Sequence, residues 1–195
     1  MRQEIIKVYS FQELASDVQE KLIEKHVNIN TEFDWFDFIV EDWINKLNQI
    51  GFIDSKIFFS GFYSQGDGAC FTCERVDIPL IINSLIYCNG SYDKQYDIIE
   101  KLTYGGLCNC WLENVSSNYC HENTVITHFR IEHGHCFFDS IAKDIEKEIN
   151  DLRKLLCYSI YQELEQDYEY LTSEEAIKDT LTANEYEFLA NGERG

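Results

Sequence analysis

The chain has 195 residues, and its 35 acidic against 16 basic side chains give a formal charge of −19 and a pI near 4.5. At 45% hydrophobic and 14% aromatic, with Pro79 its one proline, it is too apolar for a disordered acidic tail and long enough to bury a core. So acidic a balance argues against direct binding to nucleic acid or anionic membrane, because affinity for phosphates comes mainly from Lys and Arg.

Along the chain, Ser10 followed by Glu13 reads as a capping box. It opens a helix over 11–26 with Phe11, Leu14, Ala15, Val18, Leu22 and Ile23 on its apolar stripe. A second helix over 33–50 carries Trp35, Phe36, Ile39, Trp43, Ile44 and Leu47, and ends at Gly51. From Lys56 the period changes to that of strands. KIFFSGFYS and ACFTCERV flank Gln65-Gly66-Asp67-Gly68, an Asp-Gly hairpin signal that predicts positive φ at the glycines. Pro79 suits the first turn of a short helix to about residue 87, and 92–102 reads as another. Strands follow over 107–115 and 123–132, joined through 118–122.

Ile141, Ile145, Ile149, Leu152, Leu156, Ile160 and Leu164 then keep helical spacing over more than six turns, and Thr172-Ser173-Glu174-Glu175 caps a final helix over 176–183. The expected fold is a single α+β domain over 1–195. It is helical over 11–50, sheet-containing over 56–132 and helical over 137–189. A small antiparallel sheet, made of the hairpin around 56–76 and the strands around 107–132, packs with the N-terminal helices and the long C-terminal helix. Residues 1–9 hold no signal-like apolar run and no window is long enough to span a bilayer, so the protein is expected in the cytoplasm.

Eight cysteines without an export signal read as reduced thiols. Cys70 and Cys73 form a CxxC on a predicted strand, which would point them to opposite faces, whereas a zinc knuckle needs them on a turn. Cys108 and Cys110 share a strand face with Leu112, as buried small hydrophobes do. His133 and His135 sit beside Cys136 without a matched carboxylate, and His121 and His128 are scattered. No metal and no cofactor are expected, and no catalytic set stands out. The segment Ser64, Gln65, Gly66, Asp67, Gly68 lacks the Gly-Lys-Ser/Thr ending of a phosphate loop and reads as a turn or a contact made by a turn.

The strongest patterned chemistry is acidic. Asp37, Glu41 and Asp42 lie early in the second helix. Glu163, Asp167, Glu169, Glu174 and Glu175 lie in a C-terminal stretch whose tyrosines, Tyr161, Tyr168, Tyr170 and Tyr186, resemble interface anchors. Like charges at Glu165 and Glu169 do not help a helix. These eight carboxylates are the candidate partner-binding residues.

The segment 59–71, FSGFYSQGDGACF, together with LEQDYEYLTSEEAI (164–177) and ANEYEF (183–188), resembles a bacterial and phage family labelled antitoxin of a toxin–antitoxin stability system. His121-Glu122 is similar to that family's YHExxM strand, with Ile126 in place of its methionine, and the cysteines at 73, 108, 110 and 120 depart from its pattern. The resemblance implies a binding protein from a mobile element, not an enzyme. A −19 charge suits a nucleic-acid mimic, so the expected partner is a basic effector: a CRISPR nuclease complex or restriction enzyme blocked by an anti-CRISPR or antirestriction protein, or a toxin neutralised by its antitoxin. A metal- or nucleotide-dependent enzyme around His133, His135 and Asp67 is the remaining reading.

Overall fold

The apolar spacing places the helices, but local hydrogen bonding decides where they begin. The computed structural model describes residues 6–89, 108–116, 119–131 and 136–195. The Glu13 carboxylate accepts from the Ser10 amide (2.9 Å) and hydroxyl (3.0 Å), and these donors hold its pKa below the usual value. They close one 3₁₀ turn, Phe11–Glu13, because Leu14 and Ala15 are extended at ψ 155° and 147°. Helix α1, Ser16–Lys25, begins only after them. The expected 11–26 helix is thus two pieces, and the Gln19 side-chain amide spans the break by donating to the carbonyls of Phe11 (3.1 Å) and Leu14 (3.0 Å). Helix α2 is Asp37–Ile50, shorter than 33–50, since residues 33–36 turn with the Trp35 amide donating to the Phe33 carbonyl. Gly51 then takes φ +123°, where a Cβ would stand 2.8 Å from the Asp77 carbonyl oxygen.

Among the described residues, all strand pairs are antiparallel and two-stranded. β1 (Tyr9–Ser10) pairs β8 (Glu187–Phe188), and β2 (Phe52–Ile53) pairs β5 (Arg75–Val76). β3 (Lys56–Phe59) pairs β4 (Ala69–Thr72), and β6 (Cys108–Asn114) pairs β7 (Val125–Ile131), with registers running from Lys56↔Thr72 and from Cys108↔Ile131. A bridge between Cys73 and Leu112 connects these two hairpins. Helix α3, Ile78–Asn89, has Pro79 in its first turn, where a missing N–H is harmless. Helix α4, Cys136–Leu171, is the longest, and α5, Glu174–Ala183, is capped by the Ser173 hydroxyl accepting from the Ala176 amide at 3.3 Å. The architecture is therefore α+β. The expected 92–102 helix lies outside the described residues, and no described helix is long and apolar enough to cross a membrane.

The chain divides into two compact units, Met1–Asp37 with Leu164–Gly195, and Phe38–Glu163. Sequence patterning suggests one domain because no linker marks the division: the chain changes unit at the start of α2 and again inside α4. The first unit is built from both chain ends around Phe11, Leu14, Leu22, Ile23, Ile177, Leu181 and Phe188. In the second, Leu47, Phe52, Phe71, Ile78, Ile81, Ile149 and Ile160 are fully buried, and Phe52 meets Phe71 edge-on at 5.0 Å.

Cys70, Cys73, Cys110 and Cys157 are buried free thiols, and Cys120 is half-buried. Cys70 lies in β4, which ends at Thr72, and the Cys73 backbone exchanges hydrogen bonds with Leu112. Burial pushes the thiols of Cys70 and Cys73 up to about 12 and that of Cys157 to about 11. Since these folded values exceed the ordinary thiol value of about 8.5, their contribution to stability is complete below that pH and is lost as pH rises toward 11 to 12. Urea midpoints should therefore fall between pH ~8 and ~10.5, and a Cys70→Ala/Cys157→Ala variant should lose less over that interval.

Candidate functional site

The 56–72 hairpin presents the SQGDG segment, though not as a two-residue Asp-Gly turn. Pairing stops at Phe59↔Ala69, so residues 60–68 form a longer loop closed by the Ser60 amide donating to the Gly68 carbonyl at 3.2 Å. Asp67 organises it from within: its Oδ2 accepts from the amides of Tyr63 (2.9 Å) and Ser64 (2.6 Å). A carboxylate so engaged is not presented to a ligand, and it would repel a phosphate. Gly66 has the expected positive φ, +96°, but Gly68 does not. Gly68 is required by proximity instead, since a Cβ there would lie 2.6 Å from His121 Cβ. The Tyr161 hydroxyl donates to the Phe62 carbonyl at 3.2 Å, and Phe62 stacks on Phe59 at 5.9 Å. Tyr63, Ser64 and Gln65 are left exposed at the tip.

The acidic candidates fall into different roles. In the second unit, Asp42 and Glu163 serve local structure. Lys46 lies 2.6 Å from Asp42, 3.9 Å from Glu163 and 4.5 Å from the centre of the Trp43 ring, while the Trp43 indole N–H donates to Glu163 at 2.9 Å. The Asp42 carboxylate raises the Lys46 pKa. Glu41 is exposed in the same helix. In the first unit Asp37 is exposed, and Glu174 pairs with Lys178 at 3.2 Å. Asp167, Glu169 and Glu175 have no ion-pair partner among the described residues. Glu174 and Glu175 stand in the first turn of α5, where the helix dipole favours them, whereas Glu169 stands in the last turn of α4, where it does not.

A cleft of about 350 Å³ in the first unit adds residues that sequence patterning missed. Glu13, Glu185 and Glu187 line it together with Tyr9 and Tyr186. It exists because Tyr9 pairs with Phe188, a contact between the two ends of the chain that no local period signals. Glu185 is left-handed at φ +51°, just after the C-cap of α5. Its amide donates to the Thr182 carbonyl and the Tyr186 amide to the Leu181 carbonyl, which is the Schellman arrangement that elsewhere selects glycine. The cleft's aromatic faces attract cations: Lys7 sits 5.0 Å over Tyr9 and Arg194 4.6 Å over Tyr186.

Among the described residues, no group of three or more His, Cys, Asp or Glu side chains is placed to hold a metal ion. His133 and His135 lie outside the described residues. His121 takes a structural position, its Nδ1 accepting from the Asn123 amide at 3.2 Å, and His128 stacks on Trp111 at 4.8 Å.

Residues 35–174 match the family described as Domain of unknown function (DUF8835). No curated protein and no solved structure matches the chain.

Because Asp67 satisfies two amides, Asp67→Ala should cost about 1–2 kcal/mol in urea unfolding. Gly68→Ala should be at least as costly, through its collision with His121. Gln65→Ala at the exposed tip should leave the midpoint within about 0.5 kcal/mol of wild type.

Proposed function

The chain belongs to the DUF8835 family, and from its own geometry we propose that it is a non-enzymatic inhibitor whose acidic first unit binds the basic, nucleic-acid-binding surface of a partner protein. The partner class is a nucleic-acid-processing effector of host defence. The first unit holds 17 acids against 6 bases, a net of −11 out of −19, in little more than a third of the chain. Carboxylates at such density approximate the charge a basic groove is built to receive.

Glu185 is the observation that carries this reading. A left-handed residue after a helix is cheapest as glycine, and a β-carbon there costs about 1 kcal/mol. A negative charge beside the helix C-terminus adds a further few tenths of a kcal/mol. Glutamate therefore stands at Glu185 against local stability, on the wall of a cleft already lined by Glu13 and Glu187. The cleft suits a Lys or Arg side chain reaching in from the partner, whose charge Glu185 and Glu187 would pair. Glu169 in the last turn of α4, with Asp167 and Glu175, which have no ion-pair partner among the described residues, extends the acidic surface.

Replacing Glu185 by Gly should raise stability by about 0.5–1 kcal/mol in urea unfolding. The same variant, and Glu169→Lys with Glu175→Lys, should retain less of a basic partner in pulldowns from a host lysate. The wild-type complex should dissociate as salt rises and be displaced by short duplex DNA. A partner retained equally by all variants, or a complex indifferent to salt, would place the contact elsewhere.

A further inference from the structure

Against the acidic background, α4 carries one basic row. Lys143, Lys147, Asn150 and Lys154 recur at spacings of four, three and four, which puts them on one helix face. They line a cleft of about 460 Å³ in the second unit, completed by Asn123, Val125, Glu146 and Arg153. In a chain with more than two acids per base, these three lysines form no ion pair among the described residues.

Arg153 forms the floor and is only 3% exposed. One guanidinium nitrogen donates to the Glu122 carbonyl at 2.5 Å, and another lies 3.4 Å from Asn150 Oδ1. Its Nε is buried without a partner, and no carboxylate lies within 4 Å among the described residues. Asn150 is fixed in turn, accepting from the Thr127 hydroxyl at 2.7 Å and donating to the Glu146 carbonyl at 3.0 Å. Burial disfavours the Arg153 charge. The hydrogen bonds of Arg153 reach the Glu122 carbonyl, Asn150 and the Cys157 thiol, and the Glu122 carboxylate, beyond ion-pair distance, offsets only part of its charge; an anion would complete the compensation.

We propose that this cleft binds the phosphate or pyrophosphate group of a small molecule. Lys143, Lys147 and Lys154 would supply mobile ammonium donors at its rim, and Arg153 a fixed positive charge beneath it. Glu146 on the same wall disfavours a polyanion that would fill the whole cleft, and so selects a compact group seated toward the lysines. The site lies within residues 38–163.

Calorimetric titration of the full chain with inorganic pyrophosphate, in chloride buffer of matched ionic strength, tests this. Saturable binding of one equivalent is expected, weakened about tenfold or more in the Lys143→Ala/Lys147→Ala/Lys154→Ala variant and unchanged in Lys178→Ala. Arg153→Met should abolish binding, but because that variant risks misfolding, the lysine variant is the deciding one. ADP binding as tightly as pyrophosphate identifies the diphosphate as the recognised group; tighter ADP binding, still lost in the lysine variant, identifies a nucleotide. Absence of saturable heat, unchanged affinity in the lysine variant, or binding of duplex oligonucleotides but not of pyrophosphate would overturn the proposal.

Discussion

Burial of the apolar stripe on α4 is the constraint on which the rest depends. Ile145, Ile149, Leu156, Ile160 and Leu164 are all at least nine-tenths buried, and each such side chain contributes about 1.5–3 kcal/mol relative to exposure. Like-charge contacts on the same helix, as at Glu165 and Glu169, cost only a few tenths of a kcal/mol each. The stripe therefore wins by an order of magnitude, and the outer face of the helix is free to carry charges that its stability does not require.

That freedom is used unevenly. Lys143, Lys147 and Lys154 come before the acids Glu163, Glu165, Asp167 and Glu169, the reverse of the order the helix dipole favours, although only Glu169 lies close enough to an end for the dipole to matter. The same opposition between local stability and residue choice recurs at Glu185, where glutamate holds a position suited to glycine. By contrast, Asp42, Glu163 and Glu174 are matched by Lys46 and Lys178 and stabilise what they touch. Acidity is thus two populations: carboxylates that serve the fold, and carboxylates whose presence the fold opposes.

Periodic features were legible in the sequence. The α4 stripe, the Ser173 cap, the Gly51 helix stop and the β6–β7 pair all arise from local spacing or backbone chemistry, so the residues alone suffice to place them. Features made by distant segments were not. The acidic cleft needs Tyr9 beside Phe188, and the charge on Arg153 is anomalous only once Glu122, Thr127 and Asn150 surround it. The hairpin fell between these cases: aromatic-rich runs located both strands, but Asp67 folds inward onto the Tyr63 and Ser64 amides, which lengthens the loop beyond what an Asp-Gly pair implies. The lysine row lies at helical spacing in the sequence, but only the buried Arg153 beside it sets it apart from a solvated helix face.

If the unpaired acidic surface opposes folding, salt should relieve that opposition. Urea unfolding of the isolated chain against NaCl concentration measures this directly, because the Debye length shrinks to about 10 Å at 0.1 M and screens repulsion between surface carboxylates. The midpoint is expected to rise from ~0.02 to ~0.3 M NaCl, and to rise less in an Asp167→Asn/Glu169→Gln/Glu185→Gln variant. A midpoint that falls as salt is added would show that ion pairs dominate the surface, and would contradict the view that these carboxylates are held against stability for a partner.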